Sequence, residues 1–183
     1  MKVRSLGLDG VFEICPKKIE DARGFFSETY NFQVMSESNI NHIFVQDNQS
    51  LSTSRGVLRG LHYQLPNRAQ DKLVRVVRGS IFDVAVDIRR SSPTFGKWVG
   101  LEVSAKAWNQ IFIPKGFAHG FVTLEENTEV IYKVTDFYSP EHDRAIRYND
   151  PDIGINWPIE DASLVLSEKD LKAPRLSEAT LFA

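Results

Sequence analysis

A single cysteine, Cys15, occurs in the 183 residues. It excludes an internal disulfide and any metal site built on several thiolates. No apolar run approaches the ~18 residues of a membrane-crossing helix. The opening MKVRSLGLDG lacks the apolar stretch of a secretory leader. An excess of one charge sign is missing too, since 22 Lys and Arg face 24 Asp and Glu. With no global basic field to recruit nucleic acid or an anionic membrane, any anion site must be built locally. There is no Gly-rich phosphate loop opening a helix, no G-x-S-x-G, no H-E-x-x-H and no H-x-H. Repeats and low-complexity tracts are also absent. The expectation is one cytoplasmic domain over residues 1–183, with no nucleic-acid or membrane partner.

What the chain does have is period-two alternation between turn signals. In SIFDVAVDIR, Phe82, Val84, Val86 and Ile88 share one face, and Ile81, Asp83, Ala85 and Asp87 share the other. In KLVRVVR, Lys72, Val74, Val76 and Arg78 alternate with Leu73, Arg75 and Val77. Turn-forming stretches recur at DARG, STSRG, RGS, SSPTFG and PKG. Many short two-faced strands predict an all-β sandwich or barrel. Short helices are expected near 31–39 and 167–172, the second with Ser167 and Asp170 spaced as in a capping box, and WPIEDASL reads as loop.

The segment RGVLRGLHYQ places His62 among two arginines. Strand parity puts His62 on the face of Leu58, Gly60 and Gln64, so the ring points inward. A lone histidine on such a face is most often a satisfied core residue. Gly60 inside the strand marks a bulge or a close backbone approach. The bulge matters because strict alternation sets Arg59 opposite His62; one site can use both only if the strand kinks or ends there. In EVIYKVTDFY, Val130, Tyr132 and Val134 share a face, which makes Tyr132 either a core tyrosine or a general acid. Tyr138 lies beyond that strand. Arg23, Arg59 and Lys72 would suit a diphosphate if they converged, because guanidinium groups match phosphate oxygens. The scattered His42, His119 and His142 argue against a metal centre. An inward imidazole, an inward phenol and a cation form a set suited to proton transfer.

The segments DARGFFSETY, FVQDNQS, GVLRGLHYQLP, KLVRVVRGSIFDVAVDIRRSSPTFGKW, IPKGFAHGF, VIYKVTDFYSPEHDR and NDPDIGINWP resemble the dTDP-4-dehydrorhamnose 3,5-epimerase family over about residues 10–175. That resemblance implies a double-stranded β-helix (a cupin-type jelly roll) and a homodimer that works without metal or other cofactor. It implies dTDP-4-keto-6-deoxyglucose as substrate, with inversion at C3 and C5 on the way to L-rhamnose. By the same resemblance His62 is the base, Asp170 its carboxylate partner, Tyr132 the acid on the opposite face and Lys72 the group that steadies the enolate oxygen. Arg23 and Arg59 match diphosphate contacts. Glu28, Gln46, Asp47, Asn48, His119, Asp143 and Lys169 match further substrate contacts, and Tyr138 matches the aromatic that stacks on thymine. Asp143 stands where the family often has Glu. Rival readings are a single-centre epimerase or a keto-isomerase on the same fold, a non-catalytic sugar-nucleotide binder, and a metal-dependent barrel oxygenase.

Overall fold

A computed structural model describes residues 1–183. The strands are β1 (Lys2–Ser5), β2 (Phe12–Cys15), β3 (Lys18–Asp21), β4 (Gly24–Ser27), β5 (Gln46–Ser52), β6 (Leu58–Gln64), β7 (Lys72–Arg78), β8 (Ser80–Asp87), β9 (Trp98–Ser104), β10 (Gln110–Ile113), β11 (Phe117–Thr123), β12 (Thr128–Val134) and β13 (Asp143–Ala145). Two short helices, α1 (Phe32–Ser36) and α2 (Glu168–Leu171), fall inside the ranges expected from sequence. They are shorter than those ranges, because neither carries an apolar stripe long enough to sustain several turns. WPIEDASL is irregular apart from a 3-10 turn at Asp161–Ser163.

Two antiparallel sheets face each other as a jelly roll, the expected fold class. One has the order β1-β2-β10-β7-β12-β5, the other β13-β6-β11-β8-β9. The hairpin β3–β4 stands apart as its own two-stranded sheet. DARG forms its turn, with Asp21 opposite Gly24.

Strand parity decides what fills the space between the sheets. Val74, Val76 and Val130 of the first sheet meet Ile81, Ala85, Phe117 and Phe121 of the second in the main apolar core. The second sheet is buried on its outer face as well. There Val84, Val86 and Ile88 pack under Ile146, Ile153 and Leu176 of the C-terminal segment. This explains why the outer face of SIFDVAVDIR, Phe82, Val84, Val86 and Ile88, is uniformly apolar although it lies outside the two sheets. Leu73, on the other face of β7, joins Met35 and Ile40 in a smaller cluster beneath α1. The main core does not fill the whole interlayer space. Toward β5, β12 and β6 the inward positions turn polar, and a cleft opens.

Candidate active site

Two connected lobes make up this cleft. The first, about 370 Å³, is bordered by Ser50, Arg59, His62, Lys72, His119, Tyr132 and Asp170, with apolar walls from Leu58, Phe121 and Leu166. The second, about 270 Å³, shares His62, Lys72 and Tyr132 and adds Gln46, Asn48, Tyr138, Asp143 and Lys169. His62 stands on β6 and Tyr132 on β12, so they face the same space from opposite sheets.

The kink anticipated at Gly60 is present. His119 pairs with His62 and Phe121 with Arg59, so one residue of β11 is matched by two of β6. This bulge restores Arg59 to the face of His62. Gly60 has φ +136, and a Cβ there would lie 2.5 Å from Gly120 Cα. Only glycine permits the two strands to approach so closely.

His62 Nε2 lies 2.6 Å from Asp170 Oδ1. The ring is 31% exposed and the carboxylate 4%. Ser167 caps α2, accepting from the Asp170 N–H at 3.2 Å and donating to Asp170 Oδ2 at 2.8 Å. The sequence spacing of a capping box therefore serves another end: the carboxylate turns away from the cap backbone and takes the imidazole instead. Burial pushes the Asp170 carboxyl upward, but bonding to His62, the charge of that ring and the Ser167 hydroxyl outweigh it, so the net shift is downward. Asp170 stays ionised and accepts from Nε2–H, which leaves Nδ1 as the basic atom.

Lys72 donates to the His62 carbonyl at 3.4 Å. Burial lowers its pKa to about 8, against the opposing charges of Asp83 and Asp143. Burial also raises the Tyr132 phenol; Arg59 opposes this and Asp143 reinforces it. Tyr132 is therefore protonated at neutral pH. His119 is lowered by burial more than Asp83 restores it, so its ring is neutral.

In the second lobe the Tyr138 hydroxyl donates to Asp143 Oδ2 at 3.2 Å, and Lys169 pairs with the same oxygen. Gln46 Oε1 accepts from the Tyr138 N–H at 3.1 Å, and the Gln46 amide donates to Asn48 at 2.9 Å. The Tyr138 ring is 57% exposed at the mouth of the cleft, open to a planar ligand. Arg59 reaches across to Ser52 Oγ and the Leu51 carbonyl, both at 3.4 Å.

Three residues expected at the site are not brought to it. Asp47 lies between Gln46 and Asn48 on β5 and faces the other way, where Lys133 bonds it at 2.8 Å. Strand parity alone sends it there. Arg23 sits in the β3–β4 turn and pairs with Asp21, and Glu28, just past β4, is exposed; neither borders the cleft. Sequence reasoning missed Ser50 on the cleft wall and Asp83 behind it, bonded to His119. Parity with Gln46 and Asn48 would have pointed to Ser50. A carboxylate between Ile81 and Ala85 on an apolar face was the signal for Asp83. No three His, Cys, Asp or Glu side chains converge as a metal site would need.

Residues 5–178 match the family model described as dTDP-4-dehydrorhamnose 3,5-epimerase. The dTDP-4-dehydrorhamnose 3,5-epimerase of Pseudomonas aeruginosa is 52% identical over 183 residues, covering 100% of this chain and 99% of the relative. The crystal structure of the Elizabethkingia anophelis enzyme of that name superposes with TM-score 0.93 at 45% identity, over 97% of each chain. The dTDP-6-deoxy-D-glucose-3,5-epimerase of Legionella pneumophila, solved with dTDP-4-keto-L-rhamnose, gives TM-score 0.93 at 46% identity, covering 98% of this chain and 94% of that one.

Proposed function

The chain belongs to the dTDP-4-dehydrorhamnose 3,5-epimerase family and is thus a carbohydrate epimerase, and from that premise we propose how its own residues invert C3 and C5 of dTDP-4-keto-6-deoxyglucose. The observation that carries this reading is the placement of one imidazole and one phenol on opposite walls of one cleft. Inversion by proton exchange needs a base on one face of the sugar ring and an acid on the other.

The 4-keto group acidifies the protons on both neighbouring carbons. Neutral His62 takes one of them at Nδ1 and becomes imidazolium, which the Asp170 carboxylate stabilises through Nε2–H. The electron pair moves onto the keto oxygen as an enolate, and the Lys72 ammonium offsets that charge. Tyr132 delivers its proton to the carbon from the opposite face, and the inverted ketone re-forms. The protein is left with imidazolium and phenolate; passing the imidazolium proton to solvent and taking one back at Tyr132 resets both groups. The same cycle at the second carbon completes the conversion.

Tyr138 in this reading stacks on the thymine and Arg59 meets the diphosphate. Gln46, Asn48, His119, Asp143 and Lys169 hold the remaining polar groups of the substrate. We infer that the chain acts as one unit over residues 1–183 and as a homodimer. The β3–β4 hairpin exposes Ile19 and Phe26, the latter at 68%, and carries Arg23 at its tip. A second copy that covered those apolar side chains would bring Arg23 and Glu28 to the neighbouring cleft, where they would add charge and hydrogen bonding beside the diphosphate. A soluble nucleotide-sugar substrate suits the cytoplasm, and no helix is long and apolar enough to cross a membrane.

Proton NMR of dTDP-4-keto-6-deoxyglucose in deuterated water tests the reading. Deuterium at both C3 and C5 is the expected result. Deuterium at one carbon would make this a single-centre epimerase, and none from folded protein would make it a sugar-nucleotide binder.

A further inference from the structure

Two buried side-chain polar atoms have no hydrogen-bond partner: Ser50 Oγ and Asp83 Oδ1. The Asp83 oxygen is the more costly, because a carboxylate oxygen out of water forfeits charge-assisted hydrogen bonds. Asp83 is 0% exposed, and its only side-chain bond is Oδ2 to His119 Nε2 at 2.9 Å. It projects into the interlayer space from β8, on the face of Ile81 and Ala85. A scaffold carboxylate at such a depth would be expected to have both oxygens engaged. This one has an oxygen to spare beside a site that uses a cation.

We propose that Asp83 is a positioning residue for the epimerisation, one that fixes the hydrogen-bonding tautomer of His119 and supplies the buried counter-charge that keeps Lys72 an ammonium while leaving it free to move onto the enolate. The proposal rests on the epimerase reading given above. The first half follows from donor chemistry. An ionised carboxylate only accepts, so the neutral ring must carry its proton on Nε2. Nδ1 of His119 is then an acceptor, able to take a hydrogen bond from a sugar hydroxyl in the cleft that His119 borders. A ring free to exchange tautomers would present a donor part of the time and misread that hydroxyl.

The other half concerns Lys72, which faces the cleft from β7 and makes no ion pair; its one hydrogen bond is the long contact to the His62 carbonyl. The titratable groups around it are Asp83 on β8, His119 on β11, His62 on β6, Tyr132 on β12, Asp143 on β13 and Lys169 on α2. Burial works against the ammonium, Lys169 adds to that, and of the two carboxylates that oppose it Asp83 acts more strongly. Asp143 already bonds Lys169 and Tyr138. The unshared Oδ1 leaves Asp83's charge less compensated. A direct ion pair would hold Lys72 in place, whereas a counter-charge beyond ion-pair distance favours the ammonium without tethering it.

Two measurements need no substrate. Nitrogen-15 NMR of the wild-type protein should find His119 protonated on Nε2 and bare on Nδ1 from pH 6 to 9; a ring protonated on Nδ1 overturns the proposal. NMR titration of Lys72 should show its midpoint falling by roughly 1 unit in Asp83→Asn, as expected on losing an opposite charge nearby; an unmoved midpoint overturns it. In turnover, Asp83→Asn should lose about 10²-fold in kcat with KM nearly unchanged, as for an electrostatic donor. Its basic limb should also move to lower pH. Wild-type kcat, or a loss with no displacement of that limb, overturns the proposal. Failure of the wild-type protein to exchange substrate protons would instead defeat the epimerase reading, and the two substrate-free measurements would still decide on Asp83. If Asp83→Asn does not fold, the tautomer measurement on wild-type protein decides alone.

Discussion

Asp83 and Asp87 lie four residues apart on one face of β8, both fully buried, and they have opposite fates. Asp87 accepts five hydrogen bonds: from the Arg89 N–H, Nε and Nη2, and from the hydroxyls of Ser92 and Thr94, at 2.5–3.0 Å. Its carboxyl would be pushed up by burial, but those donors hold it down at about 2. Asp83 has one partner and an idle oxygen. The Asp87 carboxylate closes a turn, whereas that of Asp83 holds His119, which borders the cleft. On this strand the carboxylate whose hydrogen bonds are all made belongs to the scaffold, and the one left half-made lies behind a histidine that lines the cleft.

The same division separates the two halves of the interlayer space, and substitutions can break it. The largest effect is expected at the chemical half: His62→Ala should lower kcat by about 10³-fold or more, as for loss of a general base, and abolish exchange at both C3 and C5. Its melting temperature should fall, because the buried Asp170 carboxylate loses its partner, but the fold should persist, since the 31% exposed ring lets water enter in its place. Retained activity would put the base elsewhere. At the scaffold half, Asp87→Asn should cost about 3 kcal/mol of stability in denaturant unfolding, the low end for breaking a buried pair, with kcat per folded molecule unchanged. A variant as stable as wild type would erase the contrast drawn on β8.

Acid unfolding sharpens the comparison further. Folding lowers the Asp87 carboxyl from an ordinary 3.8 to about 2. Between those values the unfolded chain binds the proton and the folded chain does not, so stability rises with pH through that window. The contribution is fully present above about pH 4 and lost as pH falls through about 2, a swing of about 2 kcal/mol. Asp87→Asn should flatten that stretch of the curve in urea titrations between pH 2 and 5, leaving whatever slope the other carboxylates contribute.

A smaller effect is expected for Tyr132→Phe. Removing the phenol should slow reprotonation from one face by about 10²-fold, while His62 still removes protons, so deuterium would enter with little inversion. Loss of exchange together with inversion would make Tyr132 part of the deprotonation step. The smallest expected change is Arg59→Ala, with dTDP binding about 10-fold weaker by calorimetry, as for loss of one charged contact. Unchanged affinity would remove Arg59 from the nucleotide site.

The contrast with Asp87 also shows how far a strand pattern carries. Period-two alternation placed Lys72, Val74 and Val76 on one face of β7 and Val130, Tyr132 and Val134 on one face of β12, and these faces do point inward. Applied to Gln46, Asp47 and Asn48, the same rule would have turned Asp47 away from the cleft, although motif similarity grouped all three. Alternation also displayed a carboxylate among the apolar residues of β8 without saying which side of the sheet held the cleft.

The sequence by itself determined the strands and their two faces, because side-chain direction along a strand repeats every two residues and needs no distant partner. It also determined the turns, the lack of disulfides and the inward imidazole and phenol. Tertiary structure alone decided the rest. The bulge at Gly60, visible only once β6 is paired with β11, set Arg59 beside His62. Asp170 meets His62 across 108 residues of chain, brought there when the C-terminal segment folds over the β13-β6-β11-β8-β9 sheet. The two aspartates of β8 are alike in sequence; only the loop that reaches one and the cleft-lining histidine that meets the other make them different. Local geometry repeats along a chain, whereas the environment of a buried charge is supplied by segments far away in it.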